Sequence, residues 1–387
     1  MNILLIINTN NNIFKVDSGA ALRNNLFVKA LSQIGHVDVI CFTQDNVVSN
    51  IPNCDVIFSK VILDDKDYME AFRSLLCMTL WPLNPYSYYQ VNKHKAAIVN
   101  DFIEQTDYDI IACRYVESAI KCGLLENKEK LVIDVDDNPV SVLLFSVAEA
   151  HSKLKKWKKQ YEARRIGRMV ENLLGNIRCS FCSNPLEMPS SRTVYLHNTT
   201  ILKRPTIDNP KSEIARVLFV GFLNFFPNNQ GILHFVESIF PQIRDAMPHV
   251  ELRIVGGGRP EFLAYLNEKE GVNAIGIVDD LVHEYQQASV VVIPVYYGSG
   301  TCVKFVEALF MNCPIVSTPV GARGFSYICR DGKDYMLANN DEEFVSKTIE
   351  LLSSEARSKE MANNGYEIAR SHYSQESFLE IVKNNII

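Results

Sequence analysis

The sequence SVVVIPVYYGSGTCVKFVEALFMNCPIVSTP, from Ser289 to Pro319, contains an apolar run, a glycine-flanked loop, a helical segment and a second apolar run. Val303, Val306 and Phe310 recur at i, i+3 and i+7, which predicts one face of a helix of about ten residues. The run from Pro314 to Thr318 predicts a buried strand. Strand, helix and strand in this order, with strands rich in Val and Ile throughout, are typical of a parallel sheet covered on both faces.

The same alternation extends outward through the chain, from LLII near the N-terminus to this segment. A chain of 387 residues exceeds the size at which one hydrophobic core stops growing. The sequence therefore predicts two doubly wound, Rossmann-like α/β domains that face each other across a cleft. Their boundaries are an N-terminal domain over 1–200, a linker over 201–212, a C-terminal domain over 213–370 and a final helix over 371–387 that packs on either domain.

Composition and charge limit the classes of function. The net charge of −6 and the pI of about 5.8 disfavour nucleic acid as a partner. The apolar N-terminal stretch is too short for a signal peptide, and no run approaches the roughly 18–20 apolar residues of a membrane span. We therefore expect a cytoplasmic protein. Cys179 and Cys182 form a CxxC without a second pair, so two thiols on a buried strand are expected rather than a metal or redox site.

A lysine lies in the first turn of the predicted helix. With Thr301 as N-cap, Lys304 takes the third position, where its charge opposes the helix dipole at a cost of about 0.3–1 kcal/mol. An anion such as a diphosphate at the helix N-terminus would explain that cost. Glu307 lies on the same face and suits a diol, while Gly298 and Gly300 let a ligand approach the backbone. The pattern favours a nucleotide-sugar site; the alternative is an i,i+3 ion pair on a surface helix.

The glycines from Gly256 to Gly258 follow another predicted strand. They do not form the GxGxxG of dinucleotide-binding proteins, because Glu261 occupies the third glycine position. The stretch predicts a tight turn that touches a ligand, with Gly256 as the candidate donor contact. A nicotinamide cofactor is disfavoured, and we expect no cofactor besides a nucleotide-diphosphate sugar as co-substrate.

Three segments carry a resemblance to a known family: DSGAALRNNLFVKAL (17–31), VLFVGFLNFFPNNQGILHFVESIFPQI (217–243) and NAIGIVDDLVHEYQQASVVVIPVYYGSGTCVKFVEALFMNCPIVSTPVGARG (273–324). The chain resembles the retaining glycosyltransferases of the family 4-like group, in a bacterial polysaccharide-assembly branch. The resemblance implies the GT-B fold, a nucleotide-diphosphate sugar as donor, retention of anomeric configuration and a reaction that needs no metal.

The resemblance also implies roles for individual residues. Lys304 matches the lysine that neutralises the donor diphosphate, and Glu307 matches the glutamate that holds the nucleotide ribose. Gly300 and Thr301 match a loop whose N–H groups reach the phosphates or the sugar. Gly19 matches a glycine of the N-terminal loop that faces the donor.

The chain departs from the family where arginines or acids are usual, at positions occupied here by Phe222 or Leu223, Ser299 and Cys302. The diphosphate is therefore expected to be neutralised by Lys304 with few other cations, or with help from arginines elsewhere in the chain. The candidates for that help are Arg23, Arg114 and Arg323.

An acidic cluster ends the predicted strand LVIDV. Asp134 and Asp136 spell DxD, which holds a metal in another glycosyltransferase fold, but two parallel-sheet domains argue against that assignment. Asp134 is predicted to be catalytic, and Asp136 and Asp137 to contact an acceptor hydroxyl; a solvated turn is the alternative. Arg23 and Arg114 are further candidates on the acceptor side.

The segment KLKKWKKQYEARRIGR (153–168) carries eight basic residues against one glutamate, with Trp157 and Tyr161 among them. It predicts either a peripheral contact with anionic lipid at the inner face of the cell membrane or a solvated helix face. Lipid-linked acceptors in the family make the membrane contact as strong an interpretation as the solvated one.

The sequence as a whole predicts a metal-independent retaining glycosyltransferase. It would transfer a sugar to a glycan or lipid-linked glycan acceptor in surface polysaccharide assembly. One alternative is a nucleotide-sugar epimerase of the same fold, with acids such as Asp134 flanking the sugar. The other is a non-catalytic homologue that binds a nucleotide or a glycan.

Overall fold

The structure is a computed structural model that describes residues 1–8, 14, 19–62, 91–148, 152–204 and 214–387. It divides into two compact units, one formed by Met1–His197 with Gln375–Ile387 and the other by Asn198–Ser374. Each unit contains one sheet in which all the neighbouring strands run parallel. The prediction of two doubly wound α/β domains is confirmed.

The sheet of the first unit has seven strands in the order β3-β2-β1-β4-β5-β6-β7. These strands are β1 (Asn2–Ile7), β2 (His36–Cys41), β3 (Cys54–Ser59), β4 (Ile110–Arg114), β5 (Leu131–Asp136), β6 (Cys179–Cys182) and β7 (Thr193–Tyr195). The helices are α1 (Gly19–Ser32), α2 (Lys93–Gln105), α3 (Val116–Lys121), α4 (Pro139–Ala148) and α5 (Lys153–Gly175), with a 3₁₀ turn at Leu124–Asn127.

The apolar sequence of β1 explains why helices cover this sheet on both sides. Ile3, Leu5 and Ile7 belong to one hydrophobic cluster, whereas Leu4 and Ile6 belong to another. Because successive side chains of a strand point to opposite faces, an unbroken apolar run needs a core on each face.

The sheet of the second unit has six strands in the order β10-β9-β8-β11-β12-β13. They are β8 (Arg216–Val220), β9 (Glu251–Val255), β10 (Val272–Gly276), β11 (Val290–Ile293), β12 (Ile315–Ser317) and β13 (Met336–Leu337). The helices are α6 (Phe226–His234), α7 (Phe240–Ala246), α8 (Pro260–Asn267), α9 (Leu281–Gln287), α10 (Val303–Phe310), α11 (Asp341–Ser353) and α12 (Glu355–His372).

The helical segment GILHFVESIFPQI (231–243) contains an irregular turn. A π-helical stretch, Phe235–Ile239, separates α6 from α7. Pro241 follows it and has no N–H to donate, and its ring would collide with the carbonyl four residues earlier in a regular α-helix. The wider turn accommodates the proline without ending the helix.

The strand, helix and strand predicted between Ser289 and Pro319 form as expected, with small differences at the ends of these elements. β11 and β12 pair in parallel and α10 connects them. The N-cap of α10 is Cys302 rather than Thr301, so Lys304 occupies the second helical position and not the third. The strand covers Ile315–Ser317, within the predicted run.

The last helix, α13 (Gln375–Ile386), belongs to the first unit. Phe378, Val382 and Ile386 of α13 join the hydrophobic cluster that α1 forms with the sheet. Most of the predicted linker, residues 205–213, lies outside the described residues. Among the residues that are described, no helix has the length and apolar character needed to cross a membrane.

Candidate nucleotide-sugar site in the second unit

Lys304 lies at the start of α10 and is almost completely buried, with 8% of its surface exposed. Its Nζ donates a hydrogen bond of 2.7 Å to Asn228 Oδ1 and lies 4.5 Å from the centroid of the Phe219 ring. Within the described part of the chain, no carboxylate forms an ion pair with this ammonium group. Lys304 is thus a buried cation whose protein partners are an amide and an aromatic face.

The space for this ammonium group depends on a glycine at the end of β8. A Cβ added at Gly221 would lie 2.8 Å from Lys304 Nζ and 2.9 Å from Asn228 Nδ2. Asn228 Nδ2 donates to the carbonyl of Phe222 at 3.0 Å, which directs Oδ1 toward the lysine. The sequence did not single out Asn228. Its only signal was an amide in the first turn of the helix after β8.

Burial lowers the pKa of Lys304 to about 8, because water no longer solvates its charged form. Relative to an ordinary lysine, the lower pKa corresponds to a free-energy cost of about 3 kcal/mol for the charged form. The group still carries its proton at neutral pH. A buried charge without a counter-ion is expensive, and an anionic ligand at the helix N-terminus would remove the cost.

Glu307 lies one turn after Lys304 and does not form the i,i+3 ion pair that the sequence allowed. Its Oε2 accepts a hydrogen bond of 2.9 Å from the hydroxyl of Tyr285, on α9. Burial raises the pKa of Glu307, and the Tyr285 hydrogen bond and the charge of Lys304 act in the opposite direction. Tyr285 was not singled out in the sequence, because a tyrosine in a short helix resembles an ordinary core residue.

The loop before α10 has the backbone conformation that its glycines predict. Gly298 and Gly300 have φ angles of 120° and 84°, in the region that side chains rarely adopt. Arg323 Nη1 donates to the carbonyl of Gly298 at 3.0 Å, so this arginine fixes the loop. Thr301 Oγ1 accepts a hydrogen bond of 2.6 Å from Asn198 Nδ2. The loop is therefore tied at both ends next to Lys304.

Gly256 has a structural explanation that requires no ligand. Its φ is 140°, and a Cβ at this position would lie 2.0 Å from the carbonyl oxygen of Gly221 on the neighbouring strand. The two glycines let the ends of β8 and β9 approach closely. The close approach of Gly256 thus helps to position Gly221, which contacts Lys304. The predicted contact of Gly256 with the donor stays a prediction.

In the first unit, the acidic and basic candidates pair with one another. Both oxygens of Asp134, which is 0% exposed, accept from Arg23 at 2.8 Å, and Arg114 Nε lies 3.1 Å from Oδ2. Arg114 also pairs with Asp136 at 2.7 Å, and Arg23 lies 3.4 Å from the same carboxylate. Burial acts to raise the pKa of Asp134, but the two guanidinium groups outweigh it and hold the pKa below its usual value.

This network bears on three of the sequence predictions, which stay predictions. Asp134 was predicted to be catalytic, yet it is fully buried and both of its oxygens are engaged. Arg23 and Arg114 were offered as acceptor-side residues and as cations for the diphosphate, yet their charges are compensated inside the first unit. Buried ion pairs of this kind hold strands and helix together, and removing one partner typically costs about 3–5 kcal/mol. Their position supports a structural role.

Asp137, just beyond β5, differs from its neighbours. Like Asp136 it is partly exposed, but no arginine pairs with it among the described residues, and its carboxylate accepts a hydrogen bond of 2.9 Å from Ser183 Oγ. Burial and the charge of Asp136 raise the pKa of Asp137 to about 7. Asp136 itself has a φ of 64°, a strained conformation for a residue with a side chain. The predicted contact of Asp136 and Asp137 with an acceptor hydroxyl stays a prediction.

The remaining candidates are placed as follows. Gly19 is the first residue of α1, and residues 15–18 before it lie outside the described residues. Cys179 and Cys182 are buried on β6, where burial raises the pKa of both thiols to about 12. In the described ranges, no group of three or more His, Cys, Asp or Glu residues is arranged to hold a metal ion.

Comparison with solved structures identifies the fold. Sucrose-phosphate synthase from Thermosynechococcus elongatus superposes with a TM-score of 0.67 at 18% identity, covering 98% of this chain and 96% of that chain. The Anabaena protein HepE in complex with UDP-glucose has a TM-score of 0.63 at 13% identity, covering 99% and 98% of the two chains. The chain has the fold of the GT-B glycosyltransferases.

Comparison with family models finds a match within the second unit. Residues 215–354 match the family described as "Glycosyl transferases group 1", and this range includes α10 with Lys304 and Glu307. An uncharacterized 44.6 kDa protein in the cps region of Klebsiella pneumoniae is 25% identical over 293 residues, which cover 72% of this chain and 74% of that protein.

The isolation of the Lys304 charge predicts a specific pH dependence of stability. Because its pKa is about 8 in the folded protein and 10.5 in an ordinary lysine, the unfolded chain binds more protons between these values, and stability rises with pH. Relative to Lys304→Met, the free energy of unfolding of the wild type should rise by about 1 kcal/mol from pH 7 to pH 9. Urea denaturation of the free protein at both pH values measures the change.

The exposed Lys333 provides the matched control for this measurement. Lys333→Met should follow the wild type at both pH values, because it removes an exposed lysine and leaves the buried Lys304 in place. Identical pH dependence in the wild type and Lys304→Met would contradict a desolvated lysine at position 304.

Proposed function

We propose that the protein is a metal-independent, retaining glycosyltransferase that moves a sugar from a nucleotide-diphosphate sugar to a glycan or lipid-linked glycan in surface polysaccharide assembly. The observation that carries the proposal is Lys304, a buried cation without a carboxylate partner at the start of a helix. The complex of HepE with UDP-glucose supports the class of donor. The relative from the cps region of Klebsiella pneumoniae supports the setting.

The arrangement suits stabilisation of a leaving diphosphate. In the reaction, the bond between the anomeric carbon and the β-phosphate oxygen breaks and a bond to the acceptor oxygen forms, so the products are the glycoside, the nucleoside diphosphate and the proton of the acceptor hydroxyl, which is released to the solvent. Negative charge then grows on the departing phosphate. Lys304 and the free N–H groups at the start of α10 would bind that charge in a site poor in water, where electrostatic stabilisation is strongest. Lys304 would thereby supply the positive charge that a metal ion supplies in other glycosyltransferases. The retention of anomeric configuration is proposed from the family resemblance.

Two further residues are given roles in this proposal. Glu307 would accept hydrogen bonds from the ribose diol of the nucleotide, one helical turn from the diphosphate. Asp137 would accept a hydrogen bond from the acceptor hydroxyl, since it is a partly exposed acid just beyond β5 with which no arginine pairs among the described residues.

A nucleotide panel tests the donor class. One of UDP, GDP and ADP should stabilise the wild type, by about 2.7 kcal/mol at a hundred times its Kd, whereas NAD should not. Lys304→Met should lose this stabilisation and Lys333→Met should keep it. Thermal unfolding of the three proteins with each ligand measures the effect. Stabilisation by NAD alone, or equal stabilisation of Lys304→Met, would contradict the proposal.

Turnover of nucleotide sugars then separates the proposed transferase from its alternatives. A transferase releases the nucleoside diphosphate, faster with acceptor than without. An epimerase instead converts one nucleotide sugar into another without acceptor, and a binding protein leaves the nucleotide sugar unchanged. Either of the last two results would overturn the proposed activity while leaving the nucleotide site intact.

We also propose that α5 docks the protein on an anionic membrane surface. Trp157 is 63% exposed and stacks on Tyr161, with ring centroids 5.9 Å apart and an interplanar angle of 14°. The same side of the helix carries the exposed residues Lys153, Arg164 and Arg168. Exposed aromatic rings between cations match the boundary between lipid headgroups and acyl chains.

Vesicle binding tests this surface. Because each cation near an anionic membrane contributes about 1 kcal/mol, Lys153→Glu combined with Arg164→Glu should weaken binding to vesicles containing phosphatidylglycerol by about tenfold or more. Sedimentation with phosphatidylglycerol vesicles and with pure phosphatidylcholine vesicles measures the change. Lys333→Glu combined with Lys359→Glu, at exposed positions of the second unit, is the control. Equal binding of the wild type to both kinds of vesicle would contradict the proposal.

A further inference from the structure

We propose that Tyr285 is a positioning residue for the nucleotide site, which holds Glu307 in the orientation that selects a ribose diol and keeps it from pairing with Lys304. The proposal rests on the proposed function, because it assigns Glu307 to the ribose. It adds a residue from a different helix and predicts how the site distinguishes ribonucleotides from nucleotides that lack the diol.

Tyr285 is held rigidly enough for this role. It is 0% exposed and belongs to a hydrophobic cluster that also contains Phe305 of α10. Its backbone carbonyl accepts a hydrogen bond from Cys313 Sγ at 3.2 Å and from the N–H of Ala288 at 3.1 Å. The hydroxyl donates to Glu307 Oε2 at 2.9 Å. A fixed ring therefore presents a fixed donor to a glutamate side chain that otherwise rotates about three bonds.

The hydrogen bond from Tyr285 leaves the two oxygens of the Glu307 carboxylate in different situations. Oε2 accepts from Tyr285, whereas among the described residues no donor reaches Oε1. A carboxylate oxygen has room for more than one hydrogen bond, so Oε1 remains available for the hydroxyls of a diol. Burial and the nearby carboxylate raise the pKa of Tyr285 well above its ordinary value, so the phenol remains a donor across the working pH range.

The same bond keeps two charges apart. Lys304 and Glu307 are three residues apart on α10, a spacing at which side chains of opposite charge commonly pair. In this structure Glu307 bonds to Tyr285, while Lys304 bonds to Asn228. Without the phenol, Glu307 is free to turn toward the unpaired ammonium group. That ion pair would consume both the diol acceptor and the cation for the diphosphate.

The test compares two nucleotides on five proteins. The probe is whichever of UDP, GDP and ADP binds the wild type, with its 2′,3′-dideoxy form as the partner ligand, and calorimetry gives both Kd values. The wild type should prefer the ribonucleotide by about tenfold or more, because hydrogen bonds from a diol to a carboxylate are charge-assisted. Tyr285→Phe, which keeps the ring, should reduce this ratio to near one and weaken binding of both ligands.

Controls separate positioning from a general loss of structure. Tyr335 is also buried and packs on Phe305 of α10, with ring centroids 5.2 Å apart, so Tyr335→Phe should keep the wild-type ratio. In a Glu307→Gln background, Tyr285→Phe should cause no further change in the ratio, since residues that act through one another are not additive.

The outcomes distinguish this inference from the proposed function. If the wild type binds none of the nucleoside diphosphates, the proposed function fails. If the wild type discriminates and Tyr285→Phe discriminates equally well, the positioning role of Tyr285 is overturned and the donor site stands. If Tyr285→Phe changes the ratio equally in the presence and absence of Glu307, Tyr285 does not act through Glu307 and the inference is overturned.

Discussion

The ammonium group of Lys304 lies in a pocket formed by the Phe219 ring, the Asn228 amide and the bare backbone of Gly221. The ring, the amide and the bare backbone together make room for the buried ammonium group, and none of the three carries a negative charge that would neutralise it. Several other features of the second unit follow from this arrangement. The glycine at position 221 must lack a side chain, the amide must point inward, and Glu307 must be held elsewhere.

Two sets of buried charges differ in how they are compensated. Arg23 and Arg114 face Asp134 and Asp136, so this network is neutral and satisfied by the protein itself. Lys304, in contrast, has no carboxylate partner among the described residues. A compensated network stabilises a fold, whereas an uncompensated charge is destabilising until a ligand of opposite charge binds. This difference is the physical reason for proposing an anion site at Lys304.

The sequence predicted those features that depend on local spacing. Parallel strands, the helix after the glycine loop and the shared face of Lys304 and Glu307 all follow from short-range periodicity. It did not predict the partners, because they come from distant segments: Tyr285 is 22 residues from Glu307, and Asn228 is 76 residues from Lys304.

Two further features of the structure do not follow from the sequence. Asp134 was predicted to be catalytic because an acid at the end of a strand is usually exposed, and its burial against Arg23 depends on a residue 111 positions away. The N-cap of α10 was placed one residue early, since the backbone angles of Thr301 and Cys302 cannot be distinguished from their side chains alone.

Proton uptake on ligand binding tests the central claim most directly. At pH 8, about half of the Lys304 side chains are neutral in the free protein, and a bound diphosphate should restore their protons. Calorimetry of nucleoside diphosphate binding in two buffers with different ionisation enthalpies should show uptake of about half a proton per ligand in the wild type and none in Lys304→Met. Binding heats that do not depend on the buffer in the wild type would show that the ligand does not meet the charge of Lys304.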